Sequence, residues 1–254
     1  MEVHHHSHHP KKWKEYLTEF IMLFAAVTLG FFAENKREEM VESHRAKQYM
    51  QSLYEDLKKD TSMLNSLEAY DNLQIRKLDT VNTVILNNVW NDSTITTIYR
   101  ANLKTLGNVR LSLNERTSSQ LKNSGGMRMI ENQEISNKIS EYWELSEVIK
   151  NFGIGIEELK LKAREKSYSI FDQKYYINTS TGEVVSHPIL MTNDKYVLIE
   201  YSNRLNHIMN SMKNVRTPFI KQLNDKAKEI LIALKKEYHI NDESSVNPIF
   251  KERI

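Results

Sequence analysis

Two patterns divide the chain. Residues Leu17 to Ala33 read LTEFIMLFAAVTLGFFA, an apolar run with a single charge at Glu19. From Ala46 onward, apolar residues recur at three- and four-residue steps with charged residues between them, the spacing of one helix face. The first pattern predicts a membrane-spanning helix. The second predicts amphipathic helices that must bury their apolar faces against one another.

A helix crossing the bilayer core needs about 17–25 apolar residues, so the run reaches the short end of that range. Trp13 and Tyr16 precede it and Phe31 and Phe32 close it, where interfacial aromatics belong. A buried core helix and a cleaved signal peptide are the rival readings. Thr28 and Gly30 offer only a poor small-residue pair for cleavage, so an uncleaved span over residues 16–34 is expected. Lys11, Lys12 and Lys14 crowd the N-terminal flank, whereas the basic residues after the run are interleaved with Glu34, Glu38, Glu39 and Glu42. This asymmetry favours a cytoplasmic N-terminus and a domain outside the membrane, which in a bacterium with two membranes is an inner-membrane protein with a periplasmic domain.

No Pro or Gly occurs between Gly30 and Trp90, so one long helix is expected to continue from the span, with a length of roughly 80 Å beyond it. Met50, Leu53, Leu57, Leu64, Leu67, Leu78, Val81 and Ile85 mark its inner face, and Thr61 and Asp71 make that seam partly polar. Asn91, Asp92 and Ser93 predict a turn. A second helix is expected from Thr94 to Leu106, resuming from Asn114 to Lys122 and stopped by Gly125 and Gly126. A third runs from Asn132 to Phe171 on a stripe that includes Ile135, Ile139, Tyr142, Ile149, Phe152 and Ile156. Gly153 and Gly155 inside it lack the preceding strand of a phosphate loop and read as a kink or a close helix contact. Residues 172–194 break the periodicity, and Tyr175–Ile177 with Val184–Val185 suggest a small hairpin. The fourth helix steps regularly through Leu198, Tyr201, Leu205, Ile208, Met212, Val215 and Phe219, then resumes at Leu223 after a one-residue drift, with a bend expected at Pro218.

The expected fold is therefore all-α. An N-terminal transmembrane helix is continuous with a long helix of an antiparallel four-helix-bundle-like domain over residues 35–240. Residues 1–15 form a His- and Lys-rich tail, 172–194 an irregular insert and 241–254 a loose C-terminal tail. Only 7 Gly and 4 Pro occur, which suits long elements and few turns.

Composition removes several classes of function. There is no cysteine, which excludes disulfides, thiolate nucleophiles and Cys-based metal sites. A net charge of +2 gives no electrostatic case for nucleic acid. No HExxH, GxxxxGK[ST] or GxSxG is present, so no enzyme activity and no cofactor are expected. The candidate chemistry that remains is sparse. His4, His5, His6, His8 and His9 could chelate zinc, nickel or copper, could belong to a purification tag, or could be a solvated tail. Ala26, Gly30 and Ala33 form a small-residue stripe that lets helix backbones approach in a membrane. Glu19 lies on roughly the same face, either as a functional intramembrane carboxylate or as a headgroup-level acid partnered by nearby lysines. Tyr175, Tyr176 and His187 are candidates for a recognition loop, or form a cap over the end of the bundle.

Three stretches, MEVHHH with KEYLTEFIMLFAAVTLGFFAEN, KQYMQSLYEDLKKDTSML, and SSQLKNSGGMRMIENQEISNKISEYWE, resemble a group of uncharacterised single-pass membrane proteins abundant in Bacteroidota. The resemblance covers about half the chain. It implies that the histidines are native, since relatives begin the same way, and that a Glu in the apolar run recurs. It implies no activity. The function expected is that of a membrane-anchored extracytoplasmic interaction or scaffold protein, a homo-oligomer or a partner of another membrane protein. The alternatives are a ligand-sensing bundle that signals through its span and an ion- or proton-coupled subunit using Glu19.

Overall fold

The computed structural model describes residues 12–107, 109–178 and 181–240. Helix α1 spans Trp13–Asn87 without interruption, as expected for a stretch with no Pro and no Gly after Gly30. It ends where Asn88 enters the left-handed region at φ 53°, a conformation Asn tolerates better than most residues, so the expected continuation to Trp90 does not occur. The chain divides into two units, residues 1–49 and 50–254. In the first, every described residue up to Arg45 is exposed.

The second unit is a helical bundle. Its further elements are α2 (Asp92–Thr105), α3 (Arg116–Asn123), α4 (Gln133–Ser167), a short antiparallel hairpin of β1 (Tyr176–Asn178) and β2 (Glu183–Val184), α5 (Lys195–Ser211) and α6 (Thr217–Tyr238). Polar pairs fix the directions. Asn82 meets Ser202 and Asn206, Asp71 meets Arg216, and Asn65 meets Asn224. Residue numbers rise on α5–α6 as they fall on α1, so these helices are antiparallel. Lys166 with Glu200, Phe152 with Phe219, and Glu141 with Lys226 set α4 antiparallel to α5–α6 in the same way. The α2–α3 segment runs back along α1, because Asn114 and Thr117 reach Asp60 and Asp56. The result is an up-down-up-down bundle whose second column is broken in the middle.

Local sequence sets the helix starts. Asn91 and Thr94 form a reciprocal capping box on α2, Asn132 accepts from Glu134 and Ile135 at the start of α4, and Asp194 accepts from Tyr196 and Val197 on α5. Such caps satisfy backbone N–H groups that have no partner inside the helix. Helix α3 lacks one of its own, as Glu115 makes no capping bond. The carboxylate of Asp56 on α1 accepts instead from the Thr117 hydroxyl at 2.5 Å and its backbone N–H at 3.4 Å.

Two expectations are corrected. Gly153 and Gly155 admit no close neighbour: α4 continues through them, and a Cβ at either would meet nothing within 4 Å. Just before Pro218, where a bend is expected, the chain makes a π-helical turn, Met212–Arg216. Pro218 sits in the first turn of α6, where its missing N–H costs little. The wider turn shifts the buried face by one residue. Val215 and Phe219 are only half-buried, and Arg216 and Ile220 take the inner positions.

Asp56→Ala is expected to lower stability by about 1–2 kcal/mol, the cost of losing a cap and a buried hydrogen bond. Glu115→Ala, at the uncapped position itself, should change it by no more than about 0.5 kcal/mol. Denaturant titration of the two variants in detergent checks the difference.

Candidate functional site

A non-helical, largely exposed segment joins α2 to α3, and three of its carbonyl groups are part-buried against the neighbouring helices. Unpaired backbone groups there are costly. Three cations meet them. Arg164 donates to the Leu106 carbonyl at 2.5 Å, Lys160 to Gly107 at 2.6 Å, and Arg216 to Val109 at 2.8 Å. At the far end of the segment Asp60 accepts from the backbone and side chain of Asn114 and from the Tyr142 hydroxyl.

Arg216 is the centre of this arrangement. It is 1% exposed and bonds Asp71, itself 0% exposed, at 3.0 Å. Lys160, also 1% exposed, feels the charges of both. Two cations and one carboxylate are thus buried together. The Nε of Arg216, one carboxylate oxygen of Asp71 and the carbonyl oxygen of the Gln74 side chain have no hydrogen-bond partner among the described residues. Burial pushes the Asp71 carboxyl above the usual carboxylate range, against the pull of Arg216 and Lys160. Burial, helped by the positive charge of Arg216, lowers Lys160 to about 8. Asp60 is raised, again chiefly by burial.

A cleft of about 410 Å³ opens beside this cluster. Its floor is Arg216 with Ile149, both buried; Leu111 and Gly153 form the middle of its walls, and Ile154 and Arg110 stand exposed at its rim. Arg110 forms a bidentate pair with Glu157 at 2.9–3.2 Å across the mouth.

The residues singled out from the sequence lie elsewhere. Glu19, Ala26, Gly30 and Ala33 are exposed on α1, and a Cβ at Gly30 would meet nothing within 4 Å. Tyr175 and Tyr176 are half-buried and pack against Tyr99, with ring centroids 5.9 and 5.3 Å away. The Tyr176 hydroxyl also accepts from Asn102 and donates to the Tyr99 carbonyl. These two tyrosines therefore close the end of the core. His187 is exposed, has φ 56° and pairs with Asp92. The structure does not bring His187 to the tyrosine rings by any hydrogen bond or ring contact among the described residues. The N-terminal histidines and residues 241–254 lie outside the described residues. Among those described, no group of His, Cys, Asp or Glu has the arrangement of a metal site.

Comparison with known protein families, curated proteins and solved structures gave no match.

Asp71 was visible in the sequence as a polar interruption of the α1 seam, but Arg216 and Lys160 were not. Arg216 lies one residue off the seam as read from the helical repeat. The one-residue drift before Leu223 was the signal that could have placed it.

The lowered Lys160 sets a pH dependence. Its folded pKa of about 8 lies below the ordinary 10.5, so its contribution is fully present above 10.5 and is lost as pH falls through 8. Stability should therefore rise by about 2 kcal/mol between pH 8 and 10. Lys160→Met should remove that rise when the two proteins are unfolded side by side across this range. Above pH 10 the raised, buried Tyr142 and Tyr201 act in the opposite sense.

Proposed function

We propose that this chain is a membrane-anchored helical interaction protein, a subunit of a homo- or hetero-oligomeric complex. In this reading it belongs to the Bacteroidota group it resembles. Its N-terminus lies in the cytoplasm, its span in the inner membrane and its bundle in the periplasm. One observation carries the reading. α1 contains an 18-residue window of mean hydropathy 1.8 with none of it buried, and Phe20, Leu23, Phe24, Leu29 and Phe31 are each more than half exposed. An apolar surface of that extent is stable only against lipid or another apolar face. The Ala26–Gly30–Ala33 stripe would then be the close-approach face for a second helix. A second reading, a ligand-sensing bundle, draws on the cleft at Arg216.

The protein should stay with membranes through an alkaline carbonate wash, and a Leu23→Lys/Phe24→Lys variant should be released. In spheroplasts, added protease should digest the bundle from outside. The chain has no cysteine, so single substitutions report contacts cleanly. Gly30→Cys should give disulfide-linked dimers in the membrane and Phe32→Cys, on the opposite side of the helix, should not. Release of the unaltered protein by carbonate would remove the anchor from the proposal, and equal cross-linking at both positions would remove the stripe.

A further inference from the structure

Two rows of buried residues meet out of step where α5 joins α6. Leu198, Tyr201, Leu205, Ile208 and Met212 are buried at alternating three- and four-residue steps, and an uninterrupted α-helix would carry that row on to Val215 and Phe219. The row on α6, Leu223, Ala227, Ile230 and Leu234, begins one residue late. One extra residue must therefore be absorbed between Met212 and Leu223. The π-helical turn absorbs it at the start of that interval, with the Thr217 N–H donating back to the Met212 carbonyl. Arg216 and Ile220 then face inward. A π-helical turn placed one turn later, between Phe219 and Leu223, would satisfy both rows equally well and put Val215 and Phe219 inside instead.

The side chains favour the later position. Val215 and Phe219 are apolar yet only half-buried as the turn stands. Arg216 is buried in their place. Of the five buried side-chain atoms without a hydrogen-bond partner among the described residues, four lie on Arg216, its neighbour Thr217, its partner Asp71 and Gln74 one turn on from Asp71. Buried polar atoms are normally paired. Departure of Arg216 would not strand Asp71, because Lys160 is a second cation acting on the same carboxylate. The backbone favours the earlier position, through Pro218. There Pro218 stands in the first turn of α6, where a missing N–H costs little. With the turn moved past it, Pro218 would lie inside an α-helix, with its ring against the carbonyl of residue 214 and one helical bond lost.

We propose that the α5–α6 junction is a two-register device. The π-helical turn passes Pro218 toward the C-terminus, exchanging Arg216 and Ile220 in the core for Val215 and Phe219, and Pro218 makes the observed register the major one. In the second register Arg216 releases Asp71 and the Val109 carbonyl. The hold on the segment between α2 and α3 and the floor of the adjoining cleft therefore change together. Such an element needs no hinge, since both registers keep α5 and the later turns of α6 in place. The inference rests on the bundle alone and stands whether or not α1 is in a membrane.

The chain has no cysteine, so a single thiol reads the register through its rate of reaction with N-ethylmaleimide, measured on the full chain in lipid nanodiscs under native conditions. Ile220 and Leu223 are both 0% exposed, but only Ile220 leaves the core in the second register. Ile220→Cys is expected to react at least about tenfold faster than Leu223→Cys, whereas global unfolding would expose the two alike. Pro218 is exposed and Ala favours the helix, so Pro218→Ala keeps the fold. It should raise the Ile220→Cys rate at least about tenfold further, leave Leu223→Cys unchanged and slow Val215→Cys, which reacts readily in the parent. Equal rates for Ile220→Cys and Leu223→Cys in the parent overturn the proposal. So does a Pro218→Ala background in which Ile220→Cys is no faster, Leu223→Cys rises with it, or Val215→Cys is not slowed.

Discussion

The bundle depends on how one non-helical stretch of backbone is held against it. Helices pair their own peptide groups, so a bundle has no ladder to offer a segment that leaves the helical conformation. Here the segment between α2 and α3 passes through the second column, and side chains from the neighbouring columns act in place of a strand. Cations on α4 and at the α5–α6 junction take its carbonyls, and carboxylates on α1 take the N–H groups near its end and in the first turn of α3. Each such bond contributes modestly in net terms, about 0.5–1.5 kcal/mol. Of the three cations, Lys160 and Arg216 are buried, and Asp71 pairs with Arg216 beside them.

The π-helical turn is what delivers Arg216 to that position. An α-helix continuing from Met212 would carry Val215 and Phe219 inward. One extra residue in the turn rotates the following helix so that Arg216 and Ile220 face the core instead. Such turns are uncommon and are found frequently at functional sites. The Pro218 that follows removes a backbone donor next to the shifted hydrogen-bond ladder, which makes the shift easier to sustain. Past the turn the regular spacing resumes through Leu223, Ala227, Ile230 and Leu234, all buried.

Much of the architecture was legible in the residues. The apolar steps gave most of the inner faces of α1, α4, α5 and α6, Phe152, Val215 and Phe219 excepted, because burial enforces the helical repeat wherever packing is continuous. Asn91, Asn132 and Asp194 lie at or next to the expected helix starts and cap them. What stayed hidden was everything that depends on contact between distant segments. Nothing local to Asp56 indicates that it caps α3, and nothing local to Lys160 indicates that it holds the Gly107 carbonyl. The close contact read at the two glycines of α4 is absent because spacing alone does not distinguish a position that admits a neighbour from one that faces open space. Tyr175 and Tyr176 look like surface aromatics in sequence, yet their rings complete a cluster around Tyr99 that is formed by α2.

Lys160, Arg164 and Arg216 grip the crossing segment by its main chain, and main-chain atoms are the same whatever residue carries them. The exposed Val109 and Arg110 and the half-buried Leu111 are therefore free to change over evolutionary time without loosening the hold on the segment. Arg110 and Leu111 are also two of the residues that shape the cleft. The architecture thus separates what holds the segment in place from what shapes the cleft, so descendants could remodel that surface while sharing one frame.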